Sequence, residues 1–415
     1  MLALVFPGQG AQRVGMGRDF YDRYPAAREI FDRADATLDW HVSSLCFDGP
    51  PDTLARTRHT QAALFVTEIA MLEGLKSEFA LPVAFAAGHS LGEFSALVSA
   101  GALSFEAALR LVERRATLMS EASQQGHGLL AVTELSVDEI EACVDEQRAH
   151  GAILDVACFN GPEQAVLAGD VAAFTAVGPV LEAHGARIVQ LSVEGAFHSR
   201  WMAPCVGPFS EALNTVSWQS LSYPVVANAT AKPYPRDMST CPPLLERQLC
   251  SPVRWLQTVR FLCMQGVTHI LEVGPAPVLS RLASSILPAL RSTAVCKATD
   301  VDGLGAFLAE VPGERLRLAF IGRALAHAAA TRNEAGDAAP TTFERECRQP
   351  YQAVMRRYQA GSEDPRVISP DDMKLAIEML RGVMEHKRVN AAERAERWHE
   401  LAWLDRQGLV AAACA

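Results

Sequence analysis

Short apolar runs alternate with amphipathic segments through most of this chain. Residues 1–6 and 83–87 are uninterrupted apolar runs with the length of buried strands. An apolar stripe at helical spacing begins near Thr60, and a second helical pattern covers residues 91–100. This alternation of strands and helices predicts an α/β core with a largely parallel sheet.

Residues 128–195 follow a different pattern. They alternate as strand, helix, two strands around residues 160–162, helix and strand. The order β-α-β-β-α-β predicts a ferredoxin-like subdomain inserted into the core. The α/β pattern resumes after the insert, so we expect one discontinuous core built from residues 1–127 and 196–300.

The pattern changes again after the core, and residues 301–415 are predicted to form a helical C-terminal extension. Residues 329–341 have the composition of a linker. Ser369 is a strong helix start because a proline and two acids follow it, and a second helix is expected from Asn390 to Gly408. The extension carries no catalytic constellation. It is either a docking or linker element or the remainder of a longer fusion.

Composition narrows the class of protein. The 415 residues are 49% hydrophobic and 21% charged, as expected for a globular protein with a sizeable core. A net charge of −10 argues against a general nucleic-acid partner. The ten cysteines are scattered, and neither a signal peptide nor a membrane-spanning run is visible in the sequence. We therefore expect a cytoplasmic protein with reduced thiols.

The most specific local motif is Gly88-His89-Ser90-Leu91-Gly92, between a predicted strand and a predicted helix. Strand, sharp turn and helix are the context of the G-x-S-x-G nucleophile elbow, so the core is predicted to be α/β-hydrolase-like. The helix N-terminus beneath Ser90 would present unpaired N–H groups to a developing oxyanion. An ordinary serine in a glycine-rich turn is the alternative, and the flanking elements favour a nucleophile.

A serine nucleophile requires a base. His89 is adjacent to Ser90, but in an elbow its side chain points away from the serine. His198 follows the last strand of the insert, where the chain re-enters the core beside the cleft between the two lobes. From position alone, His198 is either this base or a structural histidine.

Arg115 belongs to a predicted helix that begins near Ser104. At 100° per residue it lies on the edge of the apolar arc, whereas Arg114 points nearly opposite. A permanent charge on a buried edge requires an anion, and a guanidinium binds a carboxylate through two parallel bonds. The anion is either an internal carboxylate or part of a substrate.

Nine motifs occur in order along residues 1 to about 300. They are FPGQGAQ (6–12), HTQAAL (59–64), GHSLGEFSAL (88–97), LVERRATLM (111–119), FNGPEQAVLAG (159–169), GAFHSRWM (195–202), NATAKPY (228–234), SPVRW (251–255) and EVGP (272–275). Together they resemble the malonyl-CoA:acyl-carrier-protein transacylases and the acyltransferase domains of polyketide synthases.

This resemblance implies a role for each matching residue. Ser90 would carry the acyl group as an ester, and His198 would take its proton and later activate the carrier thiol. The backbone N–H groups of Gln9 and Leu91 would form the oxyanion hole. The backbone carbonyl that orients the histidine would belong to Ser251.

The resemblance also implies a set of substrate-binding residues. Arg115 would hold the free carboxylate of malonyl, and Gln61 and Asn160 would support the site by hydrogen bonding. The bulky Phe197 before the histidine is similar to the pattern of malonyl-specific acyltransferases. The resemblance implies neither a metal nor a cofactor.

The function implied is transfer of malonyl from malonyl-CoA to the phosphopantetheine thiol of an acyl carrier protein. The motifs look most like a free-standing enzyme that serves polyketide synthase modules in trans. Three alternatives stay open: the malonyl transacylase of fatty-acid synthesis, an acyl hydrolase of the same fold that clears stalled chains, and an unrelated α/β-hydrolase esterase. No nucleic-acid or membrane partner is expected.

Overall fold

The computed structural model describes residues 1–235, 237–311, 313–331, 340–402, 404–405 and 410. These residues form two compact units, one from Leu2 to Leu308 and another that begins at Ala309. Within the described residues, every helix falls short of the length and hydrophobicity that crossing a membrane requires.

The strands described are β1 (Leu2–Phe6), β2 (Val83–Gly88), β3 (His127–Thr133), β4 (Leu154–Gly161), β5 (Gln164–Asp170), β6 (Arg187–Leu191), β7 (Val225–Ala227), β8 (Lys232–Pro233), β9 (His269–Val273) and β10 (Arg291–Val295). The helices described in the first unit are α1 (Arg18–Arg23), α2 (Pro25–Thr37), α3 (Val42–Asp48), α4 (Pro51–Ala55), α5 (Thr57–Glu78), α6 (Gly92–Ser99), α7 (Phe105–Glu121), α8 (Val137–Ala149), α9 (Val171–Ala183), α10 (Ala203–Leu213), α11 (Pro242–Cys250), α12 (Trp255–Met264), α13 (Leu279–Ile286) and α14 (Leu304–Ala309). Those of the second unit are α15 (Gly313–Ala330), α16 (Pro340–Phe343), α17 (Gln349–Glu363), α18 (Pro370–His386) and α19 (Ala391–Ala402).

The larger sheet has the strand order β10-β9-β1-β2-β7-β8. All of its pairs are parallel except β7 with β8, which confirms the predicted mixed α/β architecture with a largely parallel sheet. Phe6 at the end of β1 is paired with Gly88 at the end of β2. The loop after β1 therefore lies beside the turn after β2, at the carboxyl edge where parallel sheets place their sites.

The smaller sheet is antiparallel and has the order β4-β5-β3-β6. Along the chain its elements run β3-α8-β4-β5-α9-β6, which is the order that the sequence pattern predicts. A bridge between Cys158 and Val253 joins β4 to the loop before α12 of the larger lobe. The description of the larger lobe as α/β-hydrolase-like stays a prediction.

Helix α5 carries site residues into the centre of the first unit. Most of its side chains are buried, including the polar Gln61 and Glu68. Helix α7 is amphipathic and is capped by Ser104, whose hydroxyl accepts a hydrogen bond from the Ala107 N–H. Arg115 lies buried and Arg114 exposed, so the rotational setting predicted from periodicity is confirmed.

The first unit extends to Leu308, beyond the boundary predicted at residue 300. Val301 and Leu304 are buried there, and Arg23 donates to the Ala298 carbonyl, which ties this segment to α1. Both ends of the predicted linker, 329–341, belong to helices, because α15 continues to Ala330 and α16 starts at Pro340. Its central residues, 332–339, lie outside the described residues.

The second unit has its own apolar core, formed by side chains of α15, α17, α18 and α19. Ser369 caps α18 as predicted, with a reciprocal pair of hydrogen bonds to Asp372. The apolar face of α18, from Met373 to Met384, is buried in this core. Helix α19 ends at Ala402, and the predicted end at Gly408 lies outside the described residues.

Candidate active site

Ser90 lies in the sharp turn between β2 and α6 and has a positive φ of 53°. This is a strained conformation for a residue with a side chain. A Cβ on Gly88 would lie 1.9 Å from the carbonyl carbon of Gly92, and a Cβ on Gly92 would lie 2.1 Å from the Phe6 oxygen. Only glycine permits these approaches, which explains the spacing of the motif.

The side chains of Ser90 and His198 form a hydrogen-bonded pair. Ser90 Oγ lies 2.6 Å from His198 Nε2. His198 Nδ1 lies 2.8 Å from the backbone carbonyl oxygen of Gln248, to which it donates. A proton on Nδ1 leaves Nε2 as the acceptor for the serine hydroxyl, which is the arrangement that a general base requires.

The carbonyl that orients His198 belongs to Gln248 and not to Ser251, so that prediction was wrong. Gln248 lies in the last turn of α11, where backbone carbonyls lack partners within the helix. Four residues later stands Pro252, which has no N–H to donate. The Gln248 oxygen therefore lacks a helical partner and is free for the histidine, and Pro252 was a signal of the free oxygen but not of its partner.

Burial, and to a smaller extent the nearby charge of Arg115, lower the pKa of His198 to about 3, although the bond to the Gln248 carbonyl opposes this shift. The imidazole is therefore neutral over the physiological range. A neutral imidazole is ready to accept the Ser90 proton. Once protonated, it would be a strong acid in this desolvated position, which suits prompt return of the proton.

The guanidinium of Arg115 is 1% exposed and points at the nucleophile. Its Nη2 donates to Ser90 Oγ at 3.2 Å and to Gln248 Oε1 at 2.9 Å, while Nη1 donates to Gln61 Oε1 at 2.5 Å. Burial lowers the pKa of Arg115 to about 10, so the group remains charged. Among the described residues, no carboxylate lies within ion-pairing distance of this cation, and its Nε has no hydrogen-bond partner.

This geometry bears on the two anions considered for Arg115. Within the described part of the chain, an internal salt bridge is not formed. The neutral amides of Gln61 and Gln248 instead hold the guanidinium beside Ser90 Oγ. The guanidinium thus lies beside the nucleophile without an internal carboxylate partner among the described residues.

A cavity of about 430 Å³ opens over the elbow. Its wall includes Ser90, Arg115, Phe197 and His198, together with side chains of the smaller sheet and of α13. The size fits a small acyl group with part of an extended thioester arm. Phe197 is 5% exposed and limits the space next to the histidine.

Gln9 and Leu91 lie in the wall of the same cavity. Leu91 is the N-cap of α6, where backbone N–H groups point out of the helix. Across the described residues, neither the Gln9 N–H nor the Leu91 N–H donates a hydrogen bond. Both donors are thus available, as an oxyanion hole requires.

The two predicted supporting residues have different contacts. Gln61 accepts from Arg115 and therefore fixes the guanidinium. Asn160 does not contact the nucleophile; its Oδ1 lies 2.9 Å from Nε2 of His89. Burial lowers the pKa of His89, which therefore donates as a neutral ring. This contact ties β4 of the small subdomain to the elbow of the large lobe.

Besides Gln248, sequence reasoning missed two further buried residues of the site. Asn228 Oδ1 accepts from the Ser90 N–H at 2.7 Å, and its Nδ2 donates to the Gly88 carbonyl at 2.6 Å, so it braces the strained turn. Glu93, on α6, accepts from the Asn228 N–H, from Tyr234 Oη and from Gln248 Nε2. A charged residue in the otherwise uncharged and largely buried GEFSALVS segment was the available signal. In the described ranges, no cluster of three or more His, Cys, Asp and Glu side chains is arranged to hold a metal ion.

The chain belongs to the acyl transferase family, since residues 3–301 match the family described as acyl transferase domain. Within that family it is similar to malonyl CoA-acyl carrier protein transacylases. The protein of that name from Bacillus subtilis (strain 168) is 38% identical over 296 residues, covering 71% of this chain and 93% of the relative. The Staphylococcus aureus (strain MRSA252) protein is 36% identical over 303 residues, covering 72% and 97%.

Solved structures agree with this assignment. The malonyl CoA-acyl carrier protein transacylase from Clostridium perfringens superposes with a TM-score of 0.71 at 30% identity, covering 74% of this chain and 97% of that one. A malonyl-transacylase solved in complex with a type II polyketide synthase acyl-carrier protein gives a TM-score of 0.70 at 34% identity, covering 73% and 98%. The protein is therefore an enzyme of the acyltransferase class.

Proposed function

We propose that this enzyme transfers malonyl from malonyl-CoA to the phosphopantetheine thiol of an acyl carrier protein through an ester on Ser90. The observation that carries the proposal is the position of Arg115. Its charged fork lies 3.2 Å from Ser90 Oγ and is held by neutral amides. A buried cation beside the nucleophile supports recognition of an acyl group that ends in a carboxylate.

In the first half-reaction, His198 Nε2 takes the proton of Ser90 as Oγ attacks the thioester carbonyl. The N–H groups of Gln9 and Leu91 stabilise the negative oxygen of the tetrahedral intermediate. The C–S bond then breaks, and the imidazolium returns its proton to the sulfur of departing coenzyme A. Malonyl remains as an ester on Ser90.

In the second half-reaction, the carrier thiol occupies the position that coenzyme A has left. His198 takes the thiol proton, and the sulfur attacks the ester carbonyl. The ester bond breaks, and the proton passes from His198 to Ser90 Oγ. The carbonyl of Gln248 holds the imidazole in one tautomer through both steps.

The other predicted residues act on the substrate or on the groups that hold it. Arg115 pairs with the malonyl carboxylate, and Gln61 fixes the guanidinium. Phe197 narrows the cavity around the acyl group and supports selection of malonyl over branched homologues. Asn160 acts through His89, which is adjacent to the nucleophile.

A further question is whether the carrier protein belongs to polyketide synthesis or to fatty-acid synthesis. We propose service to polyketide synthase modules in trans, supported by the sequence motifs and by the solved complex of a related malonyl-transacylase with a polyketide acyl-carrier protein. The malonyl transacylase of fatty-acid synthesis fits at least as well, since the curated relatives are named only for malonyl-CoA and acyl carrier protein. Transfer rates to purified carriers of both pathways, compared in one assay, separate the two.

Intact-protein mass spectrometry after brief incubation with malonyl-CoA tests the chemistry. We expect a malonyl adduct on Ser90 that persists in buffer and is discharged when a carrier with its phosphopantetheine arm is added. Rapid loss of the adduct to water, without any carrier, would support the acyl hydrolase instead. No adduct at all would overturn the proposed mechanism.

A further inference from the structure

Arg115 and Glu93 are opposite charges buried in the same core, yet they do not form an ion pair. One side-chain amide separates them. Glu93 Oε2 accepts from Gln248 Nε2 at 2.6 Å, and Gln248 Oε1 accepts from Arg115 Nη2 at 2.9 Å. Glu93 and Gln248 are 0% and 1% exposed, so this chain of hydrogen bonds is shielded from solvent.

The amide of Gln248 is satisfied in one orientation only. Its Nε2 donates to the Ser90 carbonyl at 2.8 Å as well as to Glu93. Rotating the amide by half a turn would turn its NH₂ toward the guanidinium and its oxygen toward the carboxylate and the carbonyl. The NH₂ donor would then face the donors of the guanidinium, and the oxygen would face two acceptors. Glu93 and the Ser90 carbonyl thereby fix the oxygen that faces Arg115.

Every described neighbour that hydrogen-bonds to Glu93 is a donor. The Asn228 N–H lies 3.2 Å from Oε1, the Tyr234 hydroxyl donates to the same oxygen, and Gln248 donates to Oε2. Such surroundings favour the ionised carboxylate. Burial has the opposite and larger effect, and the pKa of Glu93 is raised to about 7.

Two simpler arrangements would each damage a carboxylate clamp. A glutamate placed directly on Arg115 would occupy the fork that a substrate carboxylate needs. A core without any balancing carboxylate would leave the buried cation uncompensated. Glu93, which is separated from Arg115 by the amide of Gln248, supplies the balancing negative charge without occupying the guanidinium itself.

We propose that Glu93 is a positioning residue for acyl-group selection: through the amide of Gln248 it holds Arg115 open toward a substrate carboxylate beside Ser90. This inference rests on the proposed function, because the clamp has a purpose only if the acyl group carries a carboxylate. It assigns Glu93 to selection between acyl groups and not to the bond-forming steps.

The test is Glu93→Gln, which keeps the volume but replaces one acceptor oxygen by a donor. At about pH 8, a unit above the Glu93 pKa, kcat/KM is measured for malonyl-CoA and for acetyl-CoA. We expect the malonyl-to-acetyl ratio to fall at least about 10-fold, with acetyl transfer changed less than about 3-fold. Equal losses for both substrates would show that Glu93 is merely structural and would overturn the proposal.

A double-mutant cycle makes the test sharper. In an Arg115→Ala background, Glu93→Gln should leave the malonyl-to-acetyl ratio unchanged, because the group through which it acts is gone. A further fall of the ratio would contradict action through Arg115. Glu68→Gln is the matched control. Glu68 is also 0% exposed, and its Oε2 accepts from Ser95 Oγ on the same helix as Glu93, so its substitution should not move the ratio.

A second variant keeps the inference testable if Glu93→Gln does not fold. Glu93→Asp keeps the charge but shortens the side chain by one methylene, so its hydrogen bond to Gln248 Nε2 should be lost and the malonyl-to-acetyl ratio should fall. An unchanged ratio in a folded Glu93→Asp protein would overturn the action of Glu93 through Gln248. The wild-type adduct assay separates the two proposals. If the wild type forms no malonyl ester, the proposed function fails; if it does and the ratios do not move, only the role of Glu93 fails.

Discussion

Ser90 and His198 are 108 residues apart in the chain, yet Ser90 Oγ and His198 Nε2 lie 2.6 Å apart. Both residues have a positive φ, 53° for Ser90 and 57° for His198. Two strained backbones that face each other at a cavity are typical of a site in which the surrounding structure imposes geometry on the reacting groups. Asn228 braces one of these turns, and the Gln248 carbonyl anchors the ring of the other.

Removing either member of this pair should stop transfer. We expect Ser90→Ala to form no malonyl adduct, and Ser90→Ala and His198→Ala each to lower kcat by at least about 10⁴-fold. Because the two groups act as a unit, the double variant should be scarcely worse than either single one. Adduct formation is read by intact mass, and turnover by release of coenzyme A. An adduct retained by Ser90→Ala would exclude Ser90 as the nucleophile.

Arg115→Ala should convert a malonyl-selective enzyme into one that no longer distinguishes malonyl from acetyl. Loss of the partner of a desolvated carboxylate costs roughly 2–5 kcal/mol, or about 30- to 4,000-fold in kcat/KM for malonyl-CoA. Acetyl-CoA has no such carboxylate, and its kcat/KM should be kept or raised. Arg114→Ala is the control, since Arg114 is exposed on the opposite side of α7. Equal falls for both substrates in Arg115→Ala would show that Arg115 only supports the fold.

The neutral, buried His198 should make the fold sensitive to acid. Its pKa is about 3 in the folded protein, against an ordinary value of 6.5 that the unfolded chain keeps. Between these values the unfolded state binds the additional proton, so the free energy of unfolding decreases as the pH falls through this window.

His198→Gln removes that titration. From about pH 7 to about pH 5, the wild type should lose about 2 kcal/mol more of its free energy of unfolding than this variant does. Urea unfolding at the two pH values gives the four free energies required. Comparing losses between pH values cancels the hydrogen bonds that His198→Gln removes at both. Identical losses in the two proteins would mean that the ring is protonated readily in the folded state.

The position at which the chain is truncated should determine whether the shortened protein stays monomeric and active. A chain ending at Val311 retains the whole first unit, and we expect it to form the malonyl adduct at a rate within about 3-fold of the full chain. A chain ending at Asn333 keeps α15 without α17 and α18, and so exposes Phe320, Ile321 and Leu325. We expect this Asn333 truncation to aggregate more than the Val311 truncation, as measured by size-exclusion chromatography. A folded Val311 truncation that forms no adduct would show that the second unit contributes to catalysis.

Local patterns of the sequence predicted several features because short-range sterics and periodicity determine them. The sharp turn follows from Gly88, which must approach the backbone of Gly92 and Glu93 a few residues away, whereas Gly92 approaches Phe6 of β1. The burial of Arg115 follows from helical periodicity. The strand and helix order of the small subdomain follows from its alternating pattern.

Partners brought together by packing were beyond such patterns. Asn228 reaches Ser90 across 138 residues, and Gln248 reaches Glu93 across 155. The orienting carbonyl was predicted at Ser251, three positions away from the one that contacts His198. The side of α11 that meets the histidine depends on how α11 docks, and no local periodicity reports that.

By itself, then, the sequence determined that this protein has a serine at a nucleophile elbow, an arginine buried on one helix face and an inserted antiparallel subdomain. Each of these depends on residues close together in the chain. Only the tertiary structure decided which histidine meets that serine and which carbonyl fixes its ring. It also decided that amides, with a carboxylate behind one of them, surround the arginine. Those contacts join elements far apart in sequence, and their geometry exists only after the elements have packed.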